Sequence, residues 1–345
     1  MRIAILTPHF FPSITGNSVT ASRIAKGLAA RGAEVEIVNT EVSPDLAQIL
    51  SLLKDFSPDV LHGLNAFRTG NLLRETGQKL GLPTVLTITG TDAYQNLTDE
   101  SQRPMVIEIL NFVGAISVFH EAVRTHLGQQ APDILEKVVV IPQAVDLPEG
   151  EGDPLEKIPA GPDRFLFLVS AGIRPVKNVS FVLAPLARLV EELPQIHLVI
   201  AGPILDPELG RIFLEQISTL PWVHYLQAVP HHQMRSLYAA VQVVINSSLS
   251  EGGMANSLLE AMSMGIPVLA SRIPGNTTIV QDGVNGFLFS GEKEFWEKAR
   301  LLAAGKDLRW RMGEAGRELI RREFSPEREV SSYLRLYRRL TEGIS

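Results

Sequence analysis

The chain has no cysteine among its 345 residues. That excludes disulfides, thiolate metal sites and a cysteine nucleophile, and it fits a reducing compartment. No uninterrupted apolar run approaches the ~20 residues of a membrane span. The opening MRIAILTPHF holds a short apolar run closed by Pro8, too short for a signal peptide's core. A cytoplasmic protein without a transmembrane segment is therefore expected. Positive charge is not in excess: 32 Lys+Arg stand against 38 Asp+Glu, a formal net charge of −6. Nucleic acid is not an evident partner for such a chain. The first strand–helix loop lacks the G-x-G-x-x-G fingerprint, which argues against nicotinamide or flavin. The eight histidines show no metal-ligand spacing. His231-His232, at a predicted helix start, reads as ordinary surface. Neither a cofactor nor a metal is expected.

What is present points to a globular α/β protein. Hydrophobic content is 45% and charged content 20%, enough core for two domains of ordinary size. Residues 2–7 form an apolar run of the kind that fills a strand buried on both faces. A loop with Gly16 and Asn17 follows, then a helix over 19–31 and a strand over 35–38. The alternation continues through helices at 45–56, 68–80 and 121–129 and strands at 60–62, 84–89, 115–119 and 138–141. The stretch 142–163 is rich in proline and glycine and reads as a linker. After it the alternation restarts with a strand at 165–170 and runs through the strands at 243–245 and 268–270. Three helices close the chain, over 292–304, 307–323 and 328–340.

Repeated β–α alternation predicts parallel sheets with helices on both faces. Two doubly wound, Rossmann-like domains follow, with their sheets facing a central crevice, the default ligand site. The boundaries are 1–150, 151–327 and a terminal helix over 328–345. Residues 298–345 hold twelve Lys/Arg and seven Asp/Glu. Interleaving of the two signs favours a solvated helix face, and leaves a peripheral membrane contact open.

The most informative stretch is NSSLSEGGMANSLLEAMSMGIPVLASRIPG, residues 246–275. It reads as a buried strand end, a glycine-bearing loop, a helix and a second buried strand. Ser257 and Glu260 have capping-box spacing, so the helix is expected to start near Ser257. Gly252 and Gly253 let backbone N–H groups come close to a ligand. A helix N-terminus attracts an anion such as phosphate. The loop Glu251, Gly252, Gly253, Met254, Ala255, Asn256 thus looks built for a phosphate, with Glu251 before it and Glu260 within the helix. The same residues would also suit a plain turn and cap. Gly172-Ile173-Arg174-Pro175-Val176-Lys177-Asn178 puts two cations between a strand and a helix. Beside a phosphate-accepting helix end, Arg174 and Lys177 make a diphosphate clamp; alone they are an exposed turn. A further loop, Thr89-Gly90-Thr91-Asp92, ends another strand.

On these residues the chain resembles the retaining glycosyltransferases of family 4, of GT-B architecture. Arg174 and Lys177 match the family's diphosphate signature. Ile141-Pro142-Gln143-Ala144-Val145-Asp146 echoes its interdomain segment. Glu251, Glu260-Ala261-Met262, Gly265-Ile266-Pro267-Val268 and Gly275 match its long motif, and Phe324-Ser325 its ending, where the last helix returns to the first domain. The resemblance implies a UDP-linked or other nucleotide-diphosphate sugar donor, an unidentified acceptor held by the N-terminal domain, and no metal. It implies that Glu260 takes the ribose hydroxyls and that Glu251 faces the transferred sugar. Arg174, Lys177 and the loop N–H groups would hold the diphosphate, with Gly16 closing over it. Glu251 and Asp92 become the catalytic candidates. Gly16, Asn17, Thr89 and Gly90 become substrate-binding candidates.

Two departures stand out. Eight residues, where the family has seven, separate Glu251 from Glu260. Thr89 stands where the family often has histidine; His9, His62 and His120 read as core or surface rather than substitutes. Gly16-Asn17 with Val19-Thr20, Thr89-Gly90-Thr91-Asp92 with Tyr94, Arg174-Pro175-Val176-Lys177 and Ala270-Ser271-Arg272-Ile273-Pro274-Gly275 are similar to the bacterial selenosugar synthases. A selenosugar or thiosugar synthase is therefore one alternative. A non-catalytic nucleotide-sugar-binding module is another, and a nucleotide-sugar epimerase a weaker third.

Overall fold

The computed structural model describes residues 1–11, 15–42, 45–152, 154–156, 158, 164–251 and 253–343. The chain divides into two compact units, Met1–Ala144 with Glu323–Ser345, and Val145–Arg322. The first unit opens β1 (Arg2–Thr7), α1 (Gly16–Ala29), β2 (Glu34–Asn39), α2 (Leu46–Phe56), β3 (Val60–Leu64) and α3 (Ala66–Leu80). It continues with β4 (Thr84–Thr87), α4 (Arg103–Phe112), β5 (Ala115–Val118), α5 (Glu121–Gln130) and β6 (Val138–Val140). The second unit holds β7 (Phe165–Ser170), α6 (Leu183–Glu192), β8 (Ile196–Ala201), α7 (Pro207–Ile217), β9 (Val223–Tyr225), α8 (Met234–Ala239) and β10 (Val243–Asn246). It ends with α9 (Asn256–Ser263), β11 (Val268–Ser271), α10 (Pro274–Thr277), β12 (Gly286–Phe289), α11 (Glu292–Ala304) and α12 (Lys306–Glu323). The last helix, α13 (Pro326–Thr341), rejoins the first unit.

The first sheet has the order β2-β1-β3-β4-β5-β6, and its strand pairs are parallel. Its apolar strands explain this: Ala4 and Leu6 enter one core, Ile3 and Ile5 the other. A strand with period-two side chains buried on both faces needs cover on both. α13 supplies part of that cover, since Val330, Tyr333, Leu336 and Tyr337 pack with α1 and the strands. A buried Arg23–Glu329 fork, 2.9 Å on each arm, ties α13 to α1. His62 on β3 lies between Thr87 Oγ1 at 2.6 Å and Tyr337 OH at 2.7 Å. Burial pushes the His62 imidazole down to about 3, so it is neutral.

The second sheet has the order β12-β11-β10-β7-β8-β9, again parallel. The chain winds outward from β7 to β9, then returns to place β10 on β7's other side. The loops after β7 and β10 therefore leave from adjacent strand ends. In open parallel sheets this reversal point is where ligands bind.

The expected α/β alternation is present in both units. Three details differ from the sequence reading. α4 has no counterpart in the sequence reading; its Pro104 lies in the first turn, where it costs no intrahelical hydrogen bond. β12, a four-residue strand of sequence GFLF, has no counterpart in the sequence reading. The linker stretch is partly packed: Leu155 and Ile158 are buried, and Gly150 lies against His232. Asp153, Lys157 and 159–163 of that stretch lie outside the described residues.

Candidate functional site

The loops after β7 and β10 meet. Leu249 N–H donates to Val176 O at 2.8 Å, and Ser247 Oγ donates to Lys177 O at 3.1 Å. These bonds bring Lys177 Nζ to Glu251 Oε1 at 2.6 Å. Ser248 Oγ at 2.6 Å and Asn246 Nδ2 at 3.1 Å donate to the same oxygen. Among the described residues no hydrogen bond reaches Oε2. One carboxylate oxygen is thus locked and the other is uncommitted. Burial alone would raise the Glu251 carboxyl; the Lys177 ammonium, with Ser248 and Asn246, outweighs it and holds the group below the usual range.

A second layer steadies this one. Asn246 Oδ1 accepts from Ser248 N–H and from Asn276 Nδ2, each at 3.1 Å. Asn276 Nδ2 also donates to Ser271 O, while its own Oδ1 is buried without a partner. Gly275 must be glycine: a Cβ there would sit 2.3 Å from Gly253 O and 2.6 Å from Glu251 Cβ. Arg174 stands at the start of the Pro175–Lys177 turn, exposed, and among the described residues its guanidinium has no ion pair. The β7 loop thus presents one engaged cation and one free one.

The expected capping box does not form. α9 starts at Asn256 with Ala255 as its cap, and no side chain caps it. Ser257 lies one residue inside, and Glu260 turns away from the helix end. Glu260 Oε2 accepts from the buried Tyr238 OH at 2.8 Å, and Oε1 lies 3.3 Å from His231 Nε2. Tyr238 on α8 offers a partner in the protein interior, and that buried charge-assisted bond wins over an exposed cap. His231 is therefore not ordinary surface; its side chain is 15% exposed and lies against Glu260. Met254 and Ala255 are buried, so this loop can meet a ligand there only through its backbone. Gly253 and Asn256 are half-buried. Gly252 lies outside the described residues.

The remaining candidates belong to the first unit. Thr15 and Ser18 form a capping box at the start of α1. Gly16 and Asn17 are its first two residues, and nothing lies within 4 Å of where a Gly16 Cβ would stand. Asp92 is fully buried. Its oxygens accept from Ala66 N–H at 2.9 Å, Gly90 N–H at 2.7 Å and Thr89 N–H at 3.1 Å. Burial raises its carboxyl although these N–H groups pull the other way. Asp92 therefore shapes the turn that carries Thr89 and Gly90, whose φ of 121° suits glycine. Asn65 Nδ2 adds bonds to Thr89 Oγ1 and Thr91 Oγ1 at 3.0 and 3.1 Å. A π-helical turn, Asp92–Asn96, follows directly. His120 caps α5 through Nδ1, and His9 pairs with Glu41 and Arg68.

So the structure joins Lys177 to Glu251, pairs Glu260 with Tyr238 and His231 in the same unit, and puts Asp92 in the other unit. Sequence spacing could not reveal Asn246, Ser248, Asn276, Tyr238 or His231 as partners, because fold contacts and not motif positions bring them in. Among the described residues no three His, Cys, Asp or Glu side chains group as metal ligands. No helix among them is long and apolar enough to cross a membrane.

Residues 155–319 match the family model of glycosyl transferases group 1. Glycosyltransferase 1 domain-containing protein 1 of Xenopus tropicalis is 26% identical over 331 residues, 92% of this chain and 93% of that one. A D-inositol 3-phosphate glycosyltransferase of Segniliparus rotundus is 30% identical over 287 residues, 77% of this chain; the match spans 63% of that relative's length. Anabaena HepE, solved with UDP and glucose, superposes with a TM-score of 0.80 at 17% identity, covering 97% of this chain and 99% of that one. At that identity the likeness speaks for the fold.

Proposed function

Taking the chain as a GT-B glycosyltransferase with a group 1 domain over residues 155–319, we propose that it moves a sugar from a UDP-linked donor to an acceptor with retention at the anomeric carbon, as a family 4 enzyme. The observation that carries this reading is the meeting of Lys177 and Glu251 where the second sheet reverses direction. Lys177 and the free Arg174 take the diphosphate. The two cations and the uncapped N-terminus of α9 stabilise the leaving phosphate's charge, so no metal is needed. Glu251 Oε2 takes a hydroxyl of the transferred sugar, with Oε1 held by its three donors. Glu260 takes the ribose. Asp92 positions the backbone of Thr89 and Gly90 on the acceptor side, with Gly16 and Asn17 at the mouth of the first strand loop. Gly253 and Asn256, with Met254 and Ala255 through their backbone, line the phosphate path.

A thiol- or selenol-type acceptor, as the selenosugar resemblance implies, is the second reading. It is supported by Thr89 standing where family 4 often has a histidine, which points to a different handling of the acceptor. An ionised sulfur or selenium nucleophile needs no general base.

The test is a thermal-shift panel of nucleotide sugars, since a ligand of the folded state alone raises its stability. Binders are then incubated with acceptor mixtures and the products' anomeric configuration read by NMR. Transfer with inversion would reject the retaining reading. Binding without transfer, hydrolysis or isomerisation would move the assignment to a non-catalytic module.

A further inference from the structure

Glu260 touches two side chains that the donor reading leaves without a task, Tyr238 and His231. Glu260 projects from the first turns of α9 toward α8. Tyr238 OH, fully buried, holds Oε2 at 2.8 Å. That bond occupies Oε2 and restrains the carboxylate, leaving Oε1 with the His231 contact. His231 Nε2 lies 3.3 Å from Oε1, and the two side chains are 15% and 11% exposed. A hydrogen bond this long is weak and exchangeable. A ring nitrogen and a carboxylate oxygen side by side can each take one of two adjacent hydroxyls.

We propose that Tyr238 is a positioning residue for Glu260, and that His231 Nε2 and Glu260 Oε1 together form a receptor for the vicinal diol of a ribonucleotide. This rests on the donor reading above and extends it to sugar selectivity. Oε1 accepts from one ribose hydroxyl, and Nε2 pairs with its neighbour in place of the loose contact between the two side chains. Removing the Tyr238 hydroxyl frees the carboxylate to rotate. Removing His231 leaves one hydroxyl without a partner. In both cases the loss is confined to ligands that carry the diol.

The test is calorimetry of the full chain with UDP, 2′,3′-dideoxy-UDP and inorganic pyrophosphate. Wild type is expected to bind UDP at least tenfold more tightly than the dideoxy analogue. Tyr238→Phe and His231→Ala are each expected to lose roughly tenfold for UDP, the effect of one hydrogen bond to a charged group. Neither should change affinity for dideoxy-UDP or pyrophosphate. His231→Gln, which offers an amide near the Nε2 position, should recover part of the loss. Equal losses on all three ligands would mean that the two residues only support the fold, and would overturn the inference. So would unchanged UDP affinity in both variants. A wild type that binds UDP and its dideoxy analogue equally would reject the diol receptor and keep the diphosphate reading. A wild type that binds neither UDP nor pyrophosphate would reject the proposed function, and this inference with it.

Discussion

Lys177 is asked to do two things. It neutralises Glu251 at 2.6 Å, and on the donor reading it must also meet the diphosphate. The two partners compete for one ammonium, so the pair sets donor affinity through its own strength. Glu251→Gln removes the competing charge and the repulsion it exerts on phosphate. UDP affinity should therefore rise by about 1 kcal/mol while turnover falls, the gain being comparable with a single hydrogen bond. Arg174→Ala, with no protein partner to release, should weaken UDP binding by roughly 1.5–3 kcal/mol, as for a hydrogen bond to a charged group. Calorimetry on both variants checks this. Weaker UDP binding by Glu251→Gln would show that the ion pair holds Lys177 in place for the phosphate and does not compete with it.

At the scale of elements, α13 is held by polar bonds inside an apolar core. Breaking the Arg23–Glu329 fork from one side leaves a buried guanidinium without that carboxylate. Glu329→Ala should cost about 3–5 kcal/mol in urea denaturation, the range for truncating one partner of a buried pair. His62 gives the same helix an acid sensitivity. Its folded-state value of about 3 lies below the ordinary 6.5, so the unfolded chain binds its proton first as pH falls. The sign is that stability is full above about 6.5 and declines by roughly 1.4 kcal/mol per pH unit as pH falls toward 3. His62→Asn should flatten the slope of stability against pH in that window, whatever it does to absolute stability. A slope equal to wild type would remove His62 as the source.

These two anchors also mark the limit of what the sequence discloses. Strand runs such as 165–170 and helix periods such as 292–304 are legible because burial repeats at the element's own period. The cations of the β7 loop were legible because a strand–loop–helix pattern frames them. Glu260 was legible as a residue with two readings, a cap and a ribose ligand; Ser257 has the right spacing for the cap, but the partner that takes the side chain, Tyr238, is 22 residues away in sequence. The Arg23–Glu329 bond spans 306 residues and His62–Tyr337 spans 275, separations at which no local pattern exists.

At the scale of the whole molecule, the two units differ in how the chain builds them. The first is discontinuous, Met1–Ala144 completed by Glu323–Ser345, while the second is the single segment Val145–Arg322. The second also has its own apolar core, running from Phe165 and Phe167 through Leu186 and Leu198 to Phe295 and Met312. Every side chain given a donor role, Arg174, Lys177, His231, Tyr238, Glu251 and Glu260, lies within it. A fragment covering 145–322 should therefore fold cooperatively and bind UDP within about tenfold of the full chain, an allowance of about 1.4 kcal/mol for contacts made elsewhere. The complementary truncation, ending at residue 322, removes Tyr333 and Tyr337 from the first core and strips His62 and Arg23 of α13's partners. Its first unit should lose cooperative unfolding while its second still responds to UDP. Two-probe denaturation, tryptophan fluorescence against far-UV circular dichroism, separates the units, because all three tryptophans, Trp222, Trp296 and Trp310, lie in the second. A 145–322 fragment that folds but binds UDP hundreds of times more weakly would mean that the first unit supplies much of the donor's binding energy, and that the proposed clamp is only part of the site.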